Sequence, residues 1–507
     1  MAREDGALSE VELKFAVDTA GAAKLARTAA LARPGRRKRL TSIYFDTEDA
    51  TLAKHGMALR LRRSGRRWTQ CLKAGGDAQA GLHSRDEWEL DRPGPTLDLG
   101  LFGDTPLARL AGAKTLHTAL KPVFAVDVMR TTWNVRPHPG QRVEVALDSG
   151  LVAAAGGARS DTISEVEIEC VDAPPAAAYA VAERLLDEVA LRPSATTKAE
   201  RGYRLFQGEE RRPAKAKRPV LEAGMTPERA ARALVAAAIA QLQANEEGVL
   251  ASSDPEFVHQ ARVALRRLRS TLRMFRRPVG KKRARIWRRA LGDTARALGA
   301  ARDWDVFTDE TLPRLVRGLA APATAKRLRQ RAALAREDAR DRARAALRSA
   351  NYGRVLLDLS RWLSGEDAAT GRETLDAFAR RLIGKHHRRL AGRIDDLRAL
   401  EAAERHRVRI EAKHLRYVAD GMGAVFGASA VEDYCGALTD MQDELGHAND
   451  AATALKLLET LDPPRAFAAA AAKRLQRRMQ PGARVDAIAE RIRRHGRIWG
   501  QQDEKKS

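Results

Sequence analysis

The sequence predicts an α+β multidomain protein, with a β-barrel at the N-terminus and an all-helical half after it. Three observations carry that expectation. Before residue 206, short segments alternate charged and apolar residues with period two. After residue 226, apolar residues recur at three- and four-residue intervals through long Ala/Leu/Arg/Glu runs. The net charge of +25 is also unevenly divided: residues 1–208 hold 30 Lys+Arg against 27 Asp+Glu, and the remainder holds 61 against 39.

The alternating segments are Glu10-Val-Glu12-Leu-Lys14-Phe15, Leu59-Arg60-Leu61-Arg62, Arg142-Val-Glu144-Val-Ala-Leu-Asp148 and Glu165-Val-Glu167-Ile-Glu169-Cys170. In a strand, such spacing puts the charges on one face and Val/Leu/Ile on the other. Helices are expected near 19–31 and 176–189, and turns at 74–81 and 93–100. One strand alone would read as a solvated face. Here Arg60 with Arg62, Arg85 with Glu87 and Glu89, Glu144 with Asp148, and Glu165 with Glu167 and Glu169 all repeat the pattern. Like charges two residues apart repel, and an open surface gains little from them. A closed barrel makes use of them inside, with basic strands for phosphates and acidic strands for a divalent metal.

Residues 207–222 are polar and proline-bearing without periodicity, which reads as a linker. Thr226-Pro227-Glu228 then gives a helix start, Thr as N-cap and Pro at the first helical position. Within the helical half, His259-x-x-Arg262-x-x-x-Arg266-x-x-Arg269 recurs as His406-x-x-Arg409-x-x-x-Lys413-x-x-Arg416. Leu298-Gly299-x-x-Arg302-Asp303 recurs as Leu445-Gly446-x-x-Asn449-Asp450, at the same offset of 147 residues. A shared offset implies two homologous helical units with approximate two-fold symmetry. The limits are therefore 1–206 for the barrel, 207–222 for the linker, 223–500 for the helices (repeats 223–365 and 366–500), and 501–507 as a disordered tail.

In each repeat the four basic positions line one helix face. Stacked cations destabilise a helix, and an anion lying along them reverses the sign. The partner is thus a polyanion. Aromatics are only 5 % of the chain, too few to stack bases along this face, so nucleic acid is disfavoured. His386, His387, His414 and His447 lack carboxylate or cysteine partners at ligand spacing, which disfavours a metal there. No apolar run approaches bilayer length, the acidic N-terminus has no export signal, and Cys71, Cys170 and Cys435 match no metal spacing. A cytoplasmic location is expected.

The ExExK opening, Glu10-Val-Glu12-Leu-Lys14, resembles the signature of the CYTH superfamily, the triphosphate tunnel metalloenzymes. The resemblance extends through LRLR (59–62), Leu72-Lys73, GLHSRDEWEL (81–90), Arg130, VEVALDSG (143–150), SEVEIE (164–169) and TTKAERGYRL (196–205). It implies an eight-stranded antiparallel tunnel in which Arg60, Arg62, Lys73, Arg85, Arg130 and Lys198 grip a triphosphate. Lys14, Lys73 and Glu87 would be catalytic. Glu10, Glu12, Glu144, Asp148, Glu165, Glu167 and Glu169 would hold Mg²⁺ or Mn²⁺. No Ser, Cys or His nucleophile is placed for a covalent intermediate, so direct attack by water is expected.

The helical half resembles the CHAD domain through 259–269, LGAARDWDVF (298–307), 406–416 and LGHANDAATA (445–454). That resemblance implies two pseudo-symmetric four-helix bundles that bind inorganic polyphosphate through His259, Arg262, Arg266, Arg269, Arg302, His406, Arg409, Lys413 and Arg416. Strict symmetry is broken where Asn449 matches Arg302 and Lys413 matches Arg266. The two resemblances together imply an inorganic triphosphatase acting on tripolyphosphate. The alternatives are another tunnel enzyme (class IV adenylate cyclase, thiamine triphosphatase or RNA triphosphatase) and a non-catalytic polyphosphate scaffold.

Overall fold

The computed structural model describes residues 8–31, 34–103, 105–111, 114–365, 373–395, 397, 399–422, 426, 428–477 and 484–495. The tail 501–507 lies outside the described residues. Two compact units emerge, one of residues 1–212 with 347–365, the other of 213–346 with 366–507.

The first unit is a closed barrel. Its strands are β1 (Leu8–Ala16), β2 (Arg36–Asp46), β3 (Met57–Ser64), β4 (Arg67–Gln79), β5 (Leu82–Arg92), β6 (Lys121–Val135), β7 (Arg142–Ala154) and β8 (Ser160–Asp172). They run in the order β5-β4-β3-β2-β6-β7-β8-β1, and β1 closes the ring by pairing with β5. Every pairing is antiparallel. A short β9 (Arg192–Pro193) adds to β1. The β4–β5 ladder carries a bulge between Ala74 and Asp77. There Gly76 has φ +92°, and a Cβ on it would lie 2.2 Å from the Ser84 carbonyl oxygen, so only glycine lets these strands meet.

The barrel is apolar outside and charged inside. Leu13, Phe15, Val145, Val166 and Ile168 point outward into a core completed by Tyr179, Leu185 and Leu186 of the helix Pro175–Glu188. Leu357, from the helix Ala350–Ser364, enters the same core. Tyr179 Oη and Ser360 Oγ lie 2.9 Å apart, and Arg361 and Arg354 pair with Glu183 and Asp187. Gly353 permits this packing, because a Cβ there would stand 1.9 Å from the Leu191 carbonyl oxygen. On another side, Leu59, Leu72 and Trp88 pack beneath Phe102 and Leu107. Burial of these outer faces stabilises the barrel and leaves the inward positions free for charge.

The second unit is helical. Helices Pro227–Ala251 and Pro255–Met274 pack together, as do Ala402–Gly421 and Ala428–Glu444, and Pro255–Met274 also meets Ala402–Gly421. Trp304, Phe307, Leu328, Leu458 and Phe467 belong to a further core. Thr226 caps the first helix by accepting from Arg229 N–H, with Pro227 at the first helical position.

Candidate active site

Strand parity aims one set of side chains into the barrel. Glu12 and Lys14 from β1, Arg60 and Arg62 from β3, Lys73 from β4, Arg85, Glu87 and Glu89 from β5, Arg130 from β6 and Glu167 and Glu169 from β8 line a cavity of about 190 Å³. Lys198 closes one side, from the first turn of the helix Lys198–Gln207.

That helix is fixed by its own sequence. Thr197 caps it, accepting from Glu200 N–H, while the Glu200 carboxylate accepts from Thr197 N–H at 2.6 Å. Gly202, one turn on from Lys198, faces Phe124, whose ring would lie 2.1 Å from a Cβ at that position. Tyr203 meets the same ring edge-on at 5.0 Å, and Tyr44 stacks on it at 4.4 Å. The close approach carries Lys198 Nζ to 2.5 Å from Glu165, 2.9 Å from Glu167 and 2.7 Å from Asp148.

Glu167 is the hub. Its carboxylate takes Lys14 at 3.0 Å, Lys198 at 2.9 Å and Arg130 at 2.5 Å. Burial opposes its charge, but these three cations hold its pKa well below the carboxylate range. Asp148, fully buried, is likewise desolvated yet driven down to about 2 by Lys198 and Arg130. Glu12 is lowered too: Lys14 (3.2 Å away) and Lys73 outweigh its burial. Glu169 behaves oppositely, pushed up to about 7 by burial and by its neighbours Glu12 and Glu144. On the far wall Glu87 joins Lys73 (3.1 Å) and Arg60 (3.2 Å), and Cys71 donates to it at 2.9 Å. Burial pushes that thiol up to about 12. Arg62 forms no ion pair among the described residues; burial and the charges of Arg60 and Arg130 lower its pKa.

Asp148, Glu165 and Glu167 offer oxygens within 4.8 Å of one another. Hard oxygen donors of this kind fit Mg²⁺ or Mn²⁺. Asp148 and Glu165 stand behind the cavity lining as buried partners of its cations. Glu144 is not in the lining; its backbone pairs with that of Glu169. The Glu10 side chain lies outside the described residues, although its backbone pairs with Arg85. Tyr44, Thr197 and His83 also line the cavity and were not among the expected residues. The period-two rule that selects Arg85 and Glu87 would also have selected His83.

In the helical unit the two motif helices bring their basic faces together. Lys413 is pushed down to about 6 by burial and by Arg266, Arg409, Arg262 and Arg416, drawn from both repeats. Arg266 falls to about 10, chiefly through desolvation. Arg266 and Arg416 both stand over the Tyr417 ring, at 5.2 and 4.6 Å from its centroid. The glycine of each Leu-Gly motif lies beside an arginine of the matching basic helix: a Cβ on Gly299 would be in ordinary contact with Arg262 Nε at 3.8 Å, and one on Gly446 with Arg409 Nε at 3.7 Å. Burial raises the Asp303 pKa, against the pull of Arg262 and Arg302. His259, half-buried, has its pKa lowered by desolvation and Arg302, whereas His406 is exposed. Arg269 is lowered by burial and Arg296. The Asn449 side chain lies outside the described residues.

Among the described residues no helix is long and apolar enough to cross a membrane. Residues 8–203 match the CYTH domain and residues 233–459 match the CHAD domain. An inorganic triphosphatase of Haemophilus influenzae is 32 % identical over 203 residues, 39 % of this chain and 55 % of that protein, so the match spans about half the relative's length. The crystal structure of the CHAD domain from Ricinus communis is similar at 31 % identity and a TM-score of 0.48, covering 56 % of this chain and 97 % of that one. The Hippeastrum protein HpAC1, for which a dominant triphosphatase activity is described, is similar at 18 % identity and a TM-score of 0.31, covering 40 % and 97 %.

Proposed function

From a chain that carries a CYTH domain followed by a CHAD domain, we propose a metal-dependent inorganic triphosphatase that splits tripolyphosphate into pyrophosphate and phosphate, with a helical half that binds inorganic polyphosphate. The observation that carries the reading is the closed, charge-lined cavity in which Glu167 gathers Lys14, Arg130 and Lys198. Its other wall presents Arg62, which no carboxylate neutralises among the described residues. The activity of the Haemophilus relative supports the same reading.

Tripolyphosphate is highly anionic near neutral pH, and a nucleophile meets that charge as repulsion. Arg60, Arg62, Lys73, Arg85, Arg130 and Lys198 bind and orient the chain of phosphates, their charges fixed in place by the barrel to neutralise it. Glu87 holds Lys73 and Arg60 in place, and Lys14 sits between Glu12 and Glu167. A divalent ion such as Mg²⁺ or Mn²⁺, held by Glu12, Asp148, Glu165, Glu167 and Glu169 with Glu10 and Glu144 as further candidates, would offset charge on the phosphate oxygens. Of these, Glu12, Asp148, Glu165 and Glu167 are engaged by lysine and arginine in the free protein. Anionic substrate drawing those cations toward itself would release them for the metal.

Cavity size favours an inorganic substrate. About 190 Å³ lined by charge, with Tyr44, Ala58 and Ala199 as the apolar lining, offers little wall for a nucleobase or a thiamine ring. Phosphate release from tripolyphosphate, ATP and thiamine triphosphate, with Mg²⁺, Mn²⁺ and Ca²⁺ tested separately, checks the reading. Preference for an organic triphosphate would move the chain to another tunnel activity; no metal-dependent turnover would leave a binding scaffold.

For the helical half we read two pseudo-symmetric four-helix bundles, supported by the 147-residue offset and by the matching Gly299–Arg262 and Gly446–Arg409 contacts. His259, Arg262, Arg266, Arg269, Arg302, His406, Arg409, Lys413 and Arg416 form the proposed polyphosphate surface. Labelled polyphosphate competed with duplex DNA at matched salt tests it, and tighter DNA binding overturns it. Three free cysteines support a reducing, cytoplasmic setting.

A further inference from the structure

His83 stands on β5 two residues before Arg85, directly across the β1–β5 ladder from Glu12. It is only 2 % exposed and lines the tunnel cavity. Its Nε2 lies 3.0 Å from the Ser194 carbonyl oxygen. A carbonyl only accepts, so Nε2 carries the proton. That contact accounts for a single proton on the ring, the one on Nε2. Nδ1 is then a lone-pair acceptor, and it is buried without a hydrogen-bond partner. An acceptor left unpaired in a buried, charged setting is costly unless something meets it.

The chemistry of the cavity narrows what that something is. Ionised phosphate oxygens and carboxylates are acceptors, and neither can satisfy Nδ1. A water can, because it donates. Arg85 supplies the complementary vacancy: its Nε is a buried donor without a partner, two residues away on the same inward face. A phosphate oxygen on Arg85 and a water on His83 would lie side by side, with the water's own lone pair left free toward phosphorus.

We infer that His83 is a catalytic residue of the tunnel, its Nδ1 accepting a hydrogen bond from the attacking water and its tautomer fixed by the Ser194 carbonyl. The inference rests on the triphosphatase reading above. In the step, the water oxygen bonds the terminal phosphorus, and the bond from that phosphorus to the bridging oxygen breaks. The electron pair leaves on pyrophosphate, and both water protons end on the released orthophosphate as dihydrogen phosphate. His83 orients the water and undergoes no net change.

Two near-isosteres separate this role from a structural one. His83→Gln can keep the donor toward Ser194 but loses the acceptor at the Nδ1 position; His83→Asn keeps an acceptor there and loses the Ser194 bond. With tripolyphosphate, the Gln variant is expected to lose about 100-fold in kcat with KM within about threefold of wild type, and the Asn variant to retain most of the activity. A Gln variant at wild-type kcat overturns the inference. So does an Asn variant worse than Gln, which would assign the effect to the Ser194 bond, or a change confined to KM. Nitrogen-15 NMR of the histidines in the full chain gives a readout independent of turnover: a proton on Nδ1 instead of Nε2 also overturns it. Wild-type protein without turnover on any triphosphate would sink the triphosphatase reading itself, whereas active wild type with an unaffected Gln variant sinks this inference alone.

Discussion

Lys198 Nζ lies 2.5 Å from Glu165 Oε1, although 33 residues separate them and one belongs to a helix while the other belongs to β8. That contact, shared with Glu167 and Asp148, ties the first turn of the helix in TTKAERGYRL to the acidic strand that completes the cavity.

Glu167→Gln removes the carboxylate shared by Lys14, Arg130 and Lys198 while keeping its volume. Phosphate release from tripolyphosphate is expected to fall about 100-fold or more, with a higher concentration of metal needed for half-maximal rate. Metal titration of initial rates checks it; wild-type rates at every metal concentration would contradict it.

Glu169 predicts a pH dependence of metal-free stability. Its folded pKa of about 7 exceeds the ordinary glutamate value of 4.5, so between those values the folded state binds more protons than the unfolded one. Stability therefore falls as pH rises from about 4.5 to about 7 on account of this group. Glu12, Asp148 and Glu167, all lowered, act the other way and below that window: their contribution is lost as pH falls under the ordinary carboxylate range. Urea midpoints across pH 5 to 7.5 (about half-unit steps) should slope downward in the metal-free wild type and flatten in Glu169→Gln.

Lys413 predicts proton uptake on polyanion binding. At a folded pKa of about 6 it is largely neutral at pH 7, because burial and four arginines oppose its charge. An anion along the face relieves that opposition and raises the pKa, so binding takes up a proton and strengthens as pH falls toward 6. Calorimetry in buffers of different ionisation enthalpy should show the uptake in wild type and its loss in Lys413→Arg, whose guanidinium stays charged.

Gly202→Ala is expected to destabilise the protein by about 1–3 kcal/mol, since the added methyl group meets the Phe124 ring and the helix cannot retreat without withdrawing Lys198. Thermal unfolding and tripolyphosphate turnover should fall together. An alanine variant equal to wild type in both would show that the ring yields freely.

Period-two alternation was enough to place Glu12, Lys14, Arg60, Arg62, Arg85 and Glu167 on inward faces, because a strand's side chains alternate whatever it pairs with. Motif spacing likewise put His259, Arg262, Arg266 and Arg269 on one helix face. Amphipathicity gave helix Ala350–Ser364 an apolar side but no partner. Its packing against Pro175–Glu188 depends on Gly353 meeting the Leu191 carbonyl and Ser360 reaching Tyr179, pairings that lie far apart in sequence.

The sequence by itself determined that charges would share faces and that basic residues would crowd the second half, since both follow from local periodicity. Only the tertiary structure decided which acid meets which base, that Glu169 is raised while Glu167 is lowered, and that His83 keeps one nitrogen unsatisfied. Those outcomes depend on desolvation and on distances across a closed barrel, where a neighbour a few ångströms away can be more than a hundred residues distant along the chain.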